Sequence, residues 1–499
     1  MERSAGILLP IFSLPSPYGI GSLGREARVF ADFLHAAGQR WWQILPVGPT
    51  GAGNSPYTSV STFAGNPLLI DLELLEEEGL LDHADLKAAV VPAGDQIDYA
   101  ALRKSRTLLL RKAFFRGYSR NTAAVQRFIE QNVWVKEYAL YMASKENFGN
   151  RAWPDWPDEA LRRHVPEAVK RYRRELREAV AFHTYVQYLF FTQWAALKRD
   201  VNHRGIRLIG DLPIYVSLDS SDTWSERREF LLDSDGKPAK VAGVPPDYFS
   251  EEGQLWGNPL YDWKAQQADG FGWWIRRVEG ASRLFDAIRI DHFRAFEHYW
   301  AVPSSAKSAK EGNWEQGPGM ALLGVLTGWF PQITYIAEDL GLLTDAVHQL
   351  RDEAGLPGMK VLEFAFSGPD NAYLPHHYTP HCICYTGTHD NDTLLGWYDH
   401  AAPEERAFAE QYLGVSGREA VRRGLLRLGQ GSVAELFVAQ MQDYLALGCQ
   451  ARINVPGVAG GNWRWNMLPG QLTEDLAGEI REMTACYGRC SPTDTRYDG

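Results

Sequence analysis

The strongest constraint on this chain is a recurring pattern of short apolar runs, each ending near Gly, Pro or a carboxylate and separated by long amphipathic stretches. Runs of this kind suit parallel strands buried on both faces and joined by helices, because such strands lack the alternation of half-exposed ones. We read strands at 40–46 (RWWQILP), 206–211 (IRLIGD), 286–291 (DAIRID), 333–339 (ITYIAED), 359–366 (MKVLEFAF), 382–388 (CICYTGT) and 450–455 (QARINV), with an eighth unplaced. A chain of 499 residues exceeds one simple core, yet a barrel carrying insertions reaches that size. The expected architecture is α/β: one (β/α)8 TIM barrel over 1–499 with helical and loop insertions. Residues of about 72–200 read as a largely helical insertion plus a barrel helix, since their apolar spacing suits amphipathic helices. Residues of about 217–260, with Pro and Gly and little periodicity, read as a loop subdomain, and 303–320 as a mobile polar loop.

Composition narrows the partners. A net charge of −11 without a long Lys/Arg block repels phosphate backbones and anionic lipid, so neither nucleic acid nor a membrane is expected as a partner. The 17 Trp, 22 Tyr and 22 Phe fit two readings: a Trp-rich core, or flat aromatic faces for the apolar faces of sugar rings. The five Cys form no pair of metal knuckles and read as reduced, buried thiols. MERSAGILLP is too poor in apolar residues for a signal peptide and no apolar run of about 20 residues exists, which makes cytoplasm the default location. No HExxH or clustered His/Cys spacing appears, so neither a catalytic metal nor a cofactor is expected.

Four acids follow strand-like runs: Asp211, Asp291, Glu338 and Asp390. One such acid is commonly a helix cap. Four together differ, because the C-terminal strand ends of a (β/α)8 barrel converge on one face and bring distant residues into one pocket. Paired carboxyls are what glycoside chemistry needs, one to attack the anomeric carbon and one to protonate the leaving oxygen. Arg289 lies two residues before Asp291 and on the same strand face, where its charge would hold Asp291 ionised as the nucleophile. Glu338, with no cation in its own strand and acids around it, would keep a proton and act as acid, then base. Asp390 beside His389 would clamp sugar hydroxyls, a role open on chemistry alone to Asp392 as well. His292 and His389 also read as packed histidines, Tyr57 as a loop anchor, and Trp463 with Trp465 as core.

These residues sit in motifs that resemble amylomaltase, the 4-α-glucanotransferase family of the α-amylase clan, called disproportionating enzyme in plants. The likeness runs through SLPSPYGIGSLG (13–24), WWQILPVGPTGAGNSPYTSVSTFAGNP (41–67), GDLPIYV (210–216), GVPPDYFSEEGQLWGNP (243–259), RIDHFRAF (289–296), IAEDLG (336–341), TGTHDNDT (386–393) and NVPGVAGGNWRW (454–465). Their order over more than 400 residues carries the resemblance. It implies catalytic roles for Asp291, Glu338 and Asp390, and substrate contacts from Tyr57, Asp211, Arg289, His389 and the covering-loop residues Tyr248, Phe249, Gln254 and Trp256. The activity implied is transfer of α-1,4-glucan segments to the 4-hydroxyl of glucose or maltosaccharides through a covalent glycosyl-aspartate. Ala52 and Asn466 depart from the family pattern. A starch hydrolase of the clan would carry the same carboxylates, and a non-catalytic sugar-binding barrel would have lost at least one.

Overall fold

The computed structural model describes residues 2–92, 94–246, 251–341, 343–458 and 460–490. Twelve strands are present among these: β1 (Ser4–Leu8), β2 (Trp41–Gln43), β3 (Arg207–Leu212), β4 (Lys240–Val244), β5 (Gln254–Pro259), β6 (Ala287–Ile290), β7 (His298–Pro303), β8 (Asn313–Gln316), β9 (Thr334–Ala337), β10 (Gly358–Val361), β11 (Cys382–Tyr385) and β12 (Leu436–Gln440). Eight of them form one parallel sheet in the order β10-β11-β12-β1-β2-β3-β6-β9. The ends meet where Ala337 N–H donates to Pro357 O at 3.0 Å. Asp339 reinforces this seam, accepting from Met359 N–H and from Arg351, each at 2.6 Å. The sheet is thus a nearly closed barrel. Helices such as Arg25–Ala36, Arg177–His203, Gly272–Leu284 and Arg418–Gly431 connect its strands.

Two strand readings need correction. The eighth strand is Ser4–Leu8, inside the N-terminal stretch judged only against a signal peptide, and it pairs with both β12 and β2. Its small residues hide it: an ideal Cβ on Gly6 would stand 2.7 Å from Trp41 Cβ and from Trp41 O, so only glycine lets β1 approach β2. The last strand is Leu436–Gln440, not 450–455, which is a 3-10 turn (Cys449–Ala451) and a loop. Buried Ala451 and Ile453 imitate strand alternation, but the backbone there serves the barrel mouth instead, with Asn454 N–H donating to His389 O at 3.1 Å. The run 359–366 stops as a strand at Val361 and turns through Leu362–Phe364.

The stretch 303–320, read as a polar loop, holds β8, which pairs antiparallel with β7. With β4 and β5 these strands make a separate four-stranded sheet. Charged side chains hid β8 because they pair with partners across the strands: Glu315 accepts from Lys240 at 2.6 Å and from Tyr299 at 3.1 Å.

Helices Tyr99–Gly117, Thr122–Gln131, Val135–Asn147 and Pro166–Glu175 precede and pack with the long Arg177–His203 helix. A second core forms around Tyr138, Tyr141, Trp153, Trp156, Leu161 and Trp224. The Trp excess therefore serves packing first: Trp42, Trp153, Trp156, Trp194, Trp224, Trp273 and Trp274 are all fully buried. Cys382 and Cys384 are buried as expected, whereas Cys449 and Cys486 are exposed. Among the described residues no helix is long and apolar enough to cross a membrane.

Candidate active site

The register of β3 on β6 places Asp211 opposite Arg289. The guanidinium ion-pairs with Asp211 through Nη1 and reaches Asp291 Oδ1 at 3.3 Å through Nη2. Both Asp211 and Arg289 are sealed from solvent, while 27% of the Asp291 side chain stays open at the cleft floor. A buried cation therefore underlies an accessible carboxyl. Tyr57 Oη donates to Asp211 Oδ2 at 2.5 Å, and its ring stacks on His389 with centroids 5.0 Å apart. Tyr57 and His389 thus both belong to the site wall.

Glu338 comes from the next strand, β9. Its backbone N–H donates to Ile290 O at 2.9 Å, extending the ladder by one residue beyond the strands. Its carboxyl accepts from His292 N–H at 2.7 Å and from Leu340 N–H at 3.2 Å. His292 adopts a left-handed conformation (φ 48°, ψ 50°), which costs a non-glycine residue free energy and is characteristic of functional turns. That turn is what aims the His292 amide at Glu338.

Burial raises both acids, Asp291 to about 7 and Glu338 to about 8. Arg289 opposes the rise at each, but Asp211 and Asp390 push Asp291 up, and Asp291 pushes up Glu338. Arg289 thus acts in the expected direction, toward the ionised form of Asp291, and limits the effect of burial without cancelling it. The order is the expected one, with Glu338 the more readily protonated member of a pair that titrates together. Burial also depresses His292 to about 3, helped by Arg294, and lowers His389, so both rings are neutral near pH 7. The Tyr57 phenol is held well above its usual range by burial and by Asp211.

Geometry separates Asp390 from Asp392. Asp390 is 45% exposed, accepts from Asn454 Nδ2 at 2.6 Å, and has His389 Nε2 at 3.4 Å. Asp392 turns away toward His400 and Arg452, at 3.5 and 3.9 Å, and is 13% exposed. Gln254 and Trp256 lie on β5; Trp256 is partly exposed, meets the His292 ring edge-on at 4.9 Å and donates to Gln254 Oε1 at 3.1 Å. Tyr248 and Phe249 fall outside the described residues.

Three further residues join the site without a role assigned from sequence; Asn454 and Trp463 belong to the closing motif, and Arg452 lies just before it. Trp463 is buried, as is Trp465, but it packs 5.8 Å from the rings of both Tyr57 and His389 rather than in a remote core. Arg452 donates to Asp390 O at 2.5 Å, and Asn454 holds the Asp390 carboxylate. Asn466, a departure from the family pattern, donates to Phe12 O and Leu14 O at 2.9 and 2.8 Å and braces the N-terminal loop.

A (β/α)8 barrel whose mouth gathers several acids around one buried arginine defines a class: carbohydrate-active enzymes working through paired carboxyls. A family model described as 4-alpha-glucanotransferase matches residues 9–472. The chain is 48% identical to the 4-alpha-glucanotransferase of Thermus thermophilus over 98% of this chain and 99% of that one. It is 44% identical to that of Clostridium butyricum, over 96% and 99%. A solved amylomaltase from Streptococcus agalactiae in complex with acarbose superposes with a TM-score of 0.96 at 39% identity, covering 98% of this chain and 100% of that one. The chain belongs to the 4-alpha-glucanotransferase family, as its motifs led us to expect.

Proposed function

We propose that the barrel mouth carries out a retaining double displacement on α-1,4-glucans. The observation that carries this reading is the meeting of Asp291 and Glu338 just past the C-terminal ends of the paired strands β6 and β9, with Arg289 reaching Asp291 at 3.3 Å and Asp390 acting on Asp291 from the same mouth of the barrel. An Asp291 oxygen attacks the anomeric carbon as Glu338 gives its proton to the departing O4, leaving a glycosyl ester on Asp291. Glu338 then takes the proton from the 4-hydroxyl of a glucose or maltosaccharide acceptor, whose oxygen displaces Asp291 and restores the α-configuration. Arg289 stabilises the carboxylate that leaves, while Asp390 and His389 are placed to hold sugar hydroxyls. Transfer outcompetes hydrolysis when the acceptor is held in line, since effective molarities of well-oriented groups reach roughly 10⁵ M and above. The reaction uses residues of the chain and neutral glucans, and it belongs in the cytoplasm, where thiols such as Cys382, Cys384, Cys449 and Cys486 remain reduced.

Incubation with maltotriose alone tests this reading. Glucose and longer maltosaccharides at constant reducing ends are expected, with both lost in Asp291→Asn. Rising reducing ends without longer products would replace transfer by hydrolysis, and no reaction on any α-1,4-glucan would leave only sugar binding.

A further inference from the structure

One carboxyl beside the cleft, partly buried and with one oxygen sealed from solvent, is not used by this mechanism. Glu363 follows β10 on the turn Leu362–Phe364, and its backbone N–H donates to Thr386 O at 3.3 Å. Its Oε1 is sealed from solvent, and no hydrogen-bond donor among the described residues reaches it. Gln440, at the end of β12, presents an equally sealed and unmatched Oε1. Both side chains converge on Gly387: an ideal Cβ there would lie 2.7 Å from Glu363 Oε1 and 2.8 Å from Gln440 Nε2. A sealed acceptor without a donor is costly, and a proton on the acid turns Glu363 Oε1 from an unmatched acceptor into a donor.

The surrounding bonds show what this bracket holds. Gln440 Nε2 donates to Asp392 O at 2.7 Å, and Gln440 N–H donates to Thr386 Oγ1 at 3.2 Å. The Asp392 backbone N–H faces the Glu363 carboxyl. The bracket therefore grips both ends of residues 386–392, the segment that presents His389 and Asp390. The charged groups facing Glu363 are Asp443, Asp392 and Arg452. Asp443 is neighboured by Arg422, and Asp392 by His400 at 3.5 Å. Desolvation first, and then the two acids, hold the Glu363 carboxyl well above the usual range against Arg452 and the Asp392 N–H.

We propose that Glu363 is a positioning residue for the transfer reaction, a neutral carboxylic acid that links the Gln440 amide to the 386–392 segment and sets where His389 and Asp390 stand. This inference rests on the proposed double displacement. Replacing the acid by a neutral amide of the same size preserves the bracket, whereas removing it frees the segment.

The test measures kcat and KM for maltotriose disproportionation in Glu363→Gln, Glu363→Ala and Gln440→Met, beside infrared spectra of wild type and Glu363→Gln. Glu363→Gln is expected to stay within about threefold of wild type in kcat, while Glu363→Ala falls roughly 10- to 100-fold at nearly unchanged KM, the loss that misplacing a catalytic group by about 1 Å produces. The wild-type minus Glu363→Gln difference spectrum is expected to show the carbonyl stretch of one protonated carboxyl, the band of Glu338 cancelling because both proteins carry it. Equal losses in the Gln and Ala variants, or a wild-type kcat in the Ala variant, would overturn the proposal, as would the absence of that infrared band. If Glu363→Ala does not fold, Gln440→Met opens the bracket from the other side, and an unchanged kcat there counts against it. A wild-type protein that disproportionates maltotriose, paired with an inactive Asp291→Asn, keeps the mechanism standing whatever the Glu363 variants do.

Discussion

Replacing Arg289 by Met tests how the site sets its protonation states. The guanidinium stands 3.3 Å from Asp291 and is also ion-paired with Asp211. At that distance and an effective dielectric near 20, a pair of unit charges is worth about 5 kcal/mol. Because the guanidinium charge is spread over three nitrogens, of which Nη2 is the one at this distance, about half of this is assigned to Asp291, equivalent to nearly 2 pKa units at 1.36 kcal/mol each. Asp291, raised to about 7 in the intact site, would then titrate near pH 9. At pH 7 the ionised nucleophile falls from about half to about one percent, a loss of about 50-fold in kcat/KM from ionisation alone. Glu338 also loses its stabilising cation, so the alkaline limb moves in the same direction. The whole bell-shaped profile should shift upward by about 2 units rather than merely shrink. Glucose release from maltotriose between pH 5 and 10, with circular dichroism to verify folding, measures this. A profile that loses height while its acid limb stays within half a unit of wild type would refute the electrostatic reasoning.

Stability gives an independent readout of the same burial. Folded-state values for Asp291 and Glu338 lie above those of unfolded carboxyls, so their stabilising contribution is complete below about pH 4 and is lost as pH rises through about 7 and 8. Asp291→Asn and Glu338→Gln should therefore match wild type in urea midpoint near pH 4 and exceed it increasingly toward pH 8, each by at most about 4 kcal/mol. Gly6→Ala should force β1 away from Trp41, where a Cβ would meet backbone and Cβ at 2.7 Å, and cost about 1–3 kcal/mol in urea unfolding. The double change Tyr248→Ala and Phe249→Ala is expected to raise hydrolysis relative to transfer on maltotriose, and an unchanged ratio of reducing ends to longer products would remove water exclusion as their role.

The four acids after strand-like runs were legible because each is local: an apolar run that ends in a carboxylate needs no partner to be seen. The same holds for Arg289 beside Asp291, two residues apart on one strand, and for the order of motifs from 13–24 to 454–465. Strand β1 was not legible, since SAGIL is too small and short to announce a strand, and its evidence is the fit of Gly6 against Trp41. Residues 450–455 misled in the opposite sense, because alternating burial at Ala451 and Ile453 is a side-chain pattern and a ladder is a backbone fact.

What the sequence by itself determined is the chemistry available: the barrel class, the paired carboxyls and the arginine next to one of them. Tertiary structure decided how those groups act on each other. The register of β3 on β6 gives the Arg289 charge to Asp211 as well as Asp291. The turn at His292 hands an amide to Glu338. The chain's reversal beyond Asp390 turns Asp392 out of the site. Each depends on which strand lies beside which and on how much water reaches the spot, and both the Coulomb energy and the desolvation cost are set by those distances rather than by residue type.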